Sequence, residues 1–242
     1  MRIALCFSGQ PRSYKAGFDY YEKNLFQIPG VTVDIFIHTW DTKGMEWYDL
    51  IKLYEDAAKK YGGGIRTKVD NPLRGDYNKK YTNTPNAEKW PPFNTVSAFY
   101  STFQVMVLKA EMEQKYSQYD WVIKTRTDFA LPVQLPYERM DKNMIYMPNC
   151  RKVYGDWLGN DQFAIGSSYN MNKYMSTWLN LETFYNRDVQ MIGEDMLRAQ
   201  LVESGLRMQI GYIDMPKPFP PGPHNGTPHF LIRDDLEKWQ KQ

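Results

Sequence analysis

At 242 residues the chain has room for one sizeable α/β core. Its formal net charge of +2, with Lys and Arg dispersed rather than clustered, excludes an electrostatic case for a nucleic-acid partner. Two cysteines, Cys6 and Cys150, do not make a disulfide scaffold, and no apolar run approaches the roughly 20 residues of a transmembrane segment.

Residues 3–7 (IALCF) read as a first strand, closed by Ser8-Gly9-Gln10-Pro11-Arg12. This apolar run is too short for a signal-peptide core, so the expectation is a cytoplasmic protein. A helix is predicted over 14–25. Residues 31–38 (VTVDIFIH) form a second strand, with Val33, Ile35 and Ile37 on one face and Thr39-Trp40-Asp41 at its end. This βαβ order predicts a mainly parallel sheet.

Residues 46–60 read as a helix. Residues 61–92, rich in Gly, Asn, Lys, Tyr and Pro, show no period and read as a long excursion over a site. Helical spacing returns at 94–116, with Val96, Phe99, Phe103, Val107 and Ala110 on one face and Asn94 or Thr95 as N-cap.

Next comes YDWVIKTRTDFAL, residues 119–131. In a strand, Lys124, Arg126 and Asp128 would share a face. Desolvated charge is costly, and ligands of α/β proteins bind outside the carboxyl ends of strands. The three groups therefore read either as a ligand site or as a buried Arg–Asp pair that ties a loop down. Beyond them, strands are predicted at 144–147, 162–165 and 208–213. Helices are predicted at 170–184 and 194–204, the second stopped by Gly205. A Pro-rich tail follows.

Four constellations carry candidate chemistry. The Gly9 turn followed by Arg12 suits a phosphate or pyrophosphate, since glycine allows close approach and a guanidinium binds phosphate bidentately; it is neither a P-loop nor GxGxxG. Asn160-Asp161-Gln162 reads as a turn or as a hydroxyl-binding strand entry. Glu194 and Asp195 open a helix, where a carboxylate either complements the helix dipole or serves as a general base. His224 and His229, two of only three histidines, are candidate metal ligands together with Asp128. No zinc-type spacing occurs. The 15% aromatic content fits a ligand with flat apolar faces, such as a sugar or a base, and equally an ordinary core.

In this order, ALCFSGQPRSY, VDIFIHTWD, YDWVIKTRTDF, NDQFAIGSS and GEDMLRAQL resemble a GT-A type nucleotide-sugar glycosyltransferase. The likeness is to small bacterial and viral members such as the WavE-like lipopolysaccharide-synthesis proteins. It runs from Arg2 to about Asp214 and is poor between Thr42 and Pro92. The resemblance implies one GT-A-like α/β domain, with a nucleotide-sugar-binding half (1–132) and an acceptor-side half (133–242). It implies a nucleoside-diphosphate sugar as donor and a glycan hydroxyl as acceptor.

Residue by residue, Ser8, Gly9 and Arg12 would contact the diphosphate with Lys124 and Arg126, and Asn94 and Ser97 would face the nucleotide or sugar. Asp128, at the last Asp of the family's DxD motif, would hold Mn2+ or Mg2+. Asp161 and Gln162 would bind hydroxyls. Asp195, or secondarily Glu194, would deprotonate the acceptor. Where DxD has its first Asp this chain has Arg126, which puts the metal in question. The rival readings are a sugar nucleotidyltransferase, which lacks its Gly-rich loop here, and a non-catalytic carbohydrate- or nucleotide-sugar-binding protein.

Overall fold

The computed structural model describes residues 1–42, 44, 46–84, 87–88, 90–148, 160–206 and 209–213. Its strands are β1 (Arg2–Ser8), β2 (Thr32–Trp40), β3 (Ile65–Asp70), β4 (Trp121–Thr125), β5 (Ile145–Pro148), β6 (Ala164–Gly166) and β7 (Ile210–Ile213). They form one seven-stranded sheet in the order β3-β2-β1-β4-β6-β5-β7. Only β6 runs against its neighbours, β4 and β5; the other pairings are parallel. The predicted mixed α/β fold with a mainly parallel central sheet is what the chain adopts.

β1 and β2 are buried on both faces, as central parallel strands must be. Ile3, Leu5 and Phe7 join Val33, Ile35 and Ile37 on one face. There they meet Tyr14 and Tyr21 of α1 (Tyr14–Tyr21) and Leu50 and Tyr54 of α2 (Glu46–Tyr61). Ala4 and Cys6 point the other way, where a third helix packs. We number that helix α4 (Pro92–Lys115), after the short α3 (Tyr77–Lys80). Small side chains at Ala4 and Cys6 let α4 lie close to β1. The connections after β1 and before β4 thus use opposite faces of the sheet. This reversal leaves a crevice between the carboxyl ends of β1 and β4, where open α/β sheets bind ligands.

Several sequence expectations are corrected. Residues 61–92 contain β3 and α3 rather than an unstructured excursion. β3 alternates Arg66, Lys68 and Asp70 because it is an edge strand, where charge discourages further pairing. The predicted 14–25 helix changes to a π turn at Glu22–Phe26, which lets Asn24 Nδ2 donate to the Leu131 carbonyl (2.7 Å).

α4 begins at Pro92, a residue that loses nothing at a helix start, and no side chain of Asn94 or Thr95 caps it. Instead Asn78 Oδ1 accepts from the Phe93 N–H (3.0 Å). Its buried face also takes polar Ser101, Thr102 and Lys109, each with a partner, in place of Phe103, Val107 and Ala110.

The predicted 170–184 helix divides into α5 (Ser168–Met175), a 3-10 stretch (Ser176–Asn180) and α6 (Leu181–Tyr185). Ser176 and Thr177 bond back to the carbonyls of Lys173 and Tyr174, which tightens the chain there. α7 (Gly193–Glu203) closes the described helices. No described helix is long and apolar enough to cross a membrane.

Candidate active site

A cavity of about 280 Å³ opens at the carboxyl ends of β1, β2 and β4. The turn after β1 contributes Ser8, Gly9, Gln10 and Arg12. Gly9 has φ +110°, a conformation that L side chains rarely adopt. Its N–H donates to Ser101 Oγ (2.7 Å) and to the His38 carbonyl (3.2 Å). This N–H is thus engaged within the protein.

Behind that turn lies a relay whose His38 and Ser101 are fully buried and whose Asp70 is partly exposed. His38 Nδ1 meets Ser101 Oγ at 2.7 Å, and His38 Nε2 meets Asp70 Oδ2 at 3.2 Å. Asp70 also accepts from Tyr100 (3.0 Å) and pairs with Lys68 (3.1 Å). Burial pushes the His38 imidazole down to about 4, so it stays neutral at pH 7. A neutral ring that donates from Nε2 to Asp70 accepts the Ser101 hydroxyl at Nδ1.

The wall opposite comes from the end of β2 and the first turns of α4. Trp40 stacks on Tyr100 at 5.6 Å, and Tyr100 meets Trp178 edge-on at 5.1 Å. Trp40, Thr42, Pro72 and Phe93 line the cavity with the predicted Asn94 and Ser97. Thr42 Oγ1 and Ser97 Oγ are buried without a hydrogen-bond partner among the described residues. Buried hydroxyls are nearly always satisfied, so these two invite polar groups of a ligand.

The floor is cationic. Lys124, at the register position opposite Cys6 and Ala164, is 4% exposed and donates to the Asp161 carbonyl. Desolvation lowers its ammonium to about 8. Arg126 grips Asp128 through two bonds, Nε to Oδ1 (2.8 Å) and Nη2 to Oδ2 (2.7 Å). Thr127 Oγ1 accepts from the Arg12 N–H (3.3 Å) and lies 3.0 Å from the Gln10 carbonyl, which ties this loop to the turn after β1. Arg12 and Arg126 line the same cavity.

Other predicted residues fall elsewhere. β4 ends at Thr125, so Lys124, Arg126 and Asp128 do not share a strand face. Asp128 is buried behind Arg126 and does not line the cavity, which is the loop-tying alternative read from the sequence. Gln162 is also outside the lining. Asn160 Oδ1 accepts from the N–H groups of Gln162 (2.8 Å) and Phe163 (3.0 Å), so this segment is a turn that presents Asp161 alone.

Asp195 lines a separate shallow concavity with Arg187, Asp188 and Arg198. Glu194, outside the lining, feels the charge of Asp161, which lines the cavity. Burial, then the charges of Asp161 and Asp195, raise its carboxyl to about 7. Neither carboxylate is an N-cap, since Ile192 holds that position. His224 and His229 lie outside the described residues.

Mn2+ or Mg2+ on Asp128 does not fit this donor set. Both carboxylate oxygens accept from Arg126, and no group of three His, Cys, Asp or Glu among the described residues is arranged to hold a metal.

Sequence reasoning missed Gln10, Trp40, Thr42, Pro72, Phe93, Ala98 and Thr102 in the lining. For Trp40 a signal existed, since it ends a strand of a parallel sheet. For Pro72 none did, because β3 itself was not visible.

No family model and no curated protein matches the chain. Among solved structures it is similar to the apo-form glycosyltransferase GlyE of Streptococcus pneumoniae TIGR4, at 14% identity and a TM-score of 0.40. That likeness covers 88% of this chain and 44% of the other, so the chain spans less than half of GlyE's length. It is also similar to a glycosyltransferase involved in the glycosylation of the major capsid of PBCV-1, at 9% identity and a TM-score of 0.42, over 88% of this chain and 81% of that one. These likenesses are too distant to carry a functional assignment.

Proposed function

We propose that the chain transfers a sugar from a nucleoside-diphosphate donor to a hydroxyl of a glycan, such as a surface polysaccharide or a glycoprotein glycan. The observation that supports this reading is the cavity itself. It sits at the switch point of a mainly parallel sheet and combines a cationic floor, two hydroxyls without a partner among the described residues, an aromatic wall and one carboxylate.

In the proposed reaction the bond between the anomeric carbon and the diphosphate oxygen breaks, and its electron pair leaves with the diphosphate. Lys124 and Arg126 stabilise that developing charge. Asp161 holds the acceptor hydroxyl, whose oxygen forms the new bond to the anomeric carbon, and Glu194 takes its proton, because a carboxyl held at about 7 suits a general base at neutral pH. This reverses the order of Asp195 and Glu194 expected from the sequence. Arg12 contacts the diphosphate from the rim.

A panel of UDP-, GDP- and TDP-sugars, followed by release of nucleoside diphosphate, tests the reading. Neither release nor binding with any donor would sink it. Binding without release would instead favour a non-catalytic nucleotide-sugar-binding protein. The sequestration of Asp128 is the feature that favours this second reading.

A further inference from the structure

The floor of the cavity holds a buried ammonium on which the carboxylates of Asp161 and Asp128 act only from beyond ion-pair contact. Lys124 is 4% exposed, and no ion pair among the described residues includes it. Asp161 meets it through a backbone carbonyl, while the Asp161 Oδ2 is turned to the start of α7, 2.9 Å from where a Cβ on Gly193 would sit. Arg126 differs: its charge is matched by Asp128, and its side chain is still about one-third exposed, at 32%.

A buried charge without a contacting counter-ion opposes folding, and an apolar side chain of similar size would serve packing better. Lys109, the other buried lysine of this sheet face, shows the contrast: it is paired with Glu113 at 2.7 Å and bonded to Ser168.

We propose that Lys124 and the Asp128-clamped Arg126 receive the diphosphate of the donor directly, in the role a divalent cation would otherwise fill. The counter-charge of Lys124 arrives with the ligand. Asp128 is a positioning residue that fixes the guanidinium plane. This rests on the reading of the donor as a nucleoside diphosphate.

Calorimetric titration of the full chain with UDP, GDP, TDP and inorganic diphosphate tests it, in separate arms with chelator and with excess Mn2+. Equal affinity in both arms is expected. Lys124→Met should weaken binding about 10- to 100-fold, as for loss of a charged hydrogen bond. The same variant should melt at or above the native temperature without ligand, whereas a structural lysine would leave a less stable protein. Arg126→Gln should also weaken binding, and it keeps the test open if Lys124→Met does not fold.

A second measurement needs no variant. The charged groups around the ammonium are Asp161, Arg126 and Asp128, with the Cys6 thiol beside it on β1 pushed up to about 12 by burial. An arriving anion should make Lys124 take up a proton at pH 8 to 9, read as a dependence of binding heat on buffer ionisation heat.

Native affinity in Lys124→Met, or binding abolished by chelator and restored by Mn2+, would overturn the inference. Diphosphate binding by the native chain and not by Lys124→Met, with no nucleotide sugar consumed, would support it and sink the proposed transfer. Nucleotide-sugar turnover unaffected in Lys124→Met would do the reverse.

Discussion

Gly193, the first residue of α7, abuts the carboxylate that lines the cavity: a Cβ there would lie 2.9 Å from Asp161 Oδ2. The glycine lets α7 start against Asp161 without displacing it, and so brings Glu194 beside the site. Gly193→Ala must push that carboxylate aside. Turnover with a nucleotide sugar should fall about 10-fold or more, since small misplacements at a reacting centre are costly. The melting temperature should change little. Unchanged turnover would detach Asp161 from the reaction.

Glu194→Gln should lower turnover by about 10²–10⁴-fold with donor affinity nearly intact, as for a missing general base. Asp195→Asn, in the separate concavity, should stay within a few-fold of native. Because Glu194 is held at about 7 and acts ionised, native turnover should rise as pH is raised through 7. A larger loss in Asp195→Asn than in Glu194→Gln would restore the order expected from the sequence.

Asp128→Asn retains one acceptor for Arg126 and loses the charge of the clamp. Donor affinity should weaken about 10-fold. Isothermal titration on the folded variant decides this, and native affinity would remove Asp128 from any positioning role.

Stability should depend on pH in two windows. Lys124 falls from 10.5 to about 8 on folding, so between those values the unfolded chain binds a proton that the folded chain has shed. Stability therefore rises with pH across that window, by at most about 1.4 kcal/mol per pH unit. Lys124→Met should flatten the rise in urea midpoints.

His38 falls from 6.5 to about 4, so stability is lost as pH drops through that range. Glu194, raised from 4.5 to about 7, acts in the opposite sense there. The His38 effect is therefore best measured in Glu194→Gln. A flat midpoint between pH 6.5 and 4 in that background would contradict the buried neutral imidazole.

Gly17 of α1 packs on the loop after β4, and a Cβ on it would lie 2.5 Å from the Thr127 carbonyl oxygen. That contact is with backbone and cannot be relieved by a side-chain rotation. Gly17→Ala should destabilise the fold by about 1–3 kcal/mol, the range for overpacking, measured as a shift in denaturation midpoint. Donor affinity should fall with it, because Thr127 also anchors the Gln10 and Arg12 backbone.

Local pattern sufficed for the elements whose burial is uniform. The apolar runs of β1 and β2, and the helix between them, announce a parallel sheet because central strands must be apolar on both faces. Ser8, Arg12, Lys124 and Arg126, which line the cavity, were legible as candidates for a related reason. They stand at or just beyond strand ends, where polar groups have little packing role, and parallel topology brings such ends together.

Pairing across long sequence distances decided the rest. β3 is charged because it is an edge, a property of its neighbours and not of its own sequence. The buried face of α4 takes Ser101 and Lys109 only because His38, Glu113 and Ser168 meet them there. Asp128 turns from ligand to clamp because β4 ends at Thr125 and frees the next residues to pair within their own loop. Glu194 comes under the charge of Asp161 because the glycine at the start of α7 admits that carboxylate, a contact made by residues 32 positions apart that no local spacing encodes.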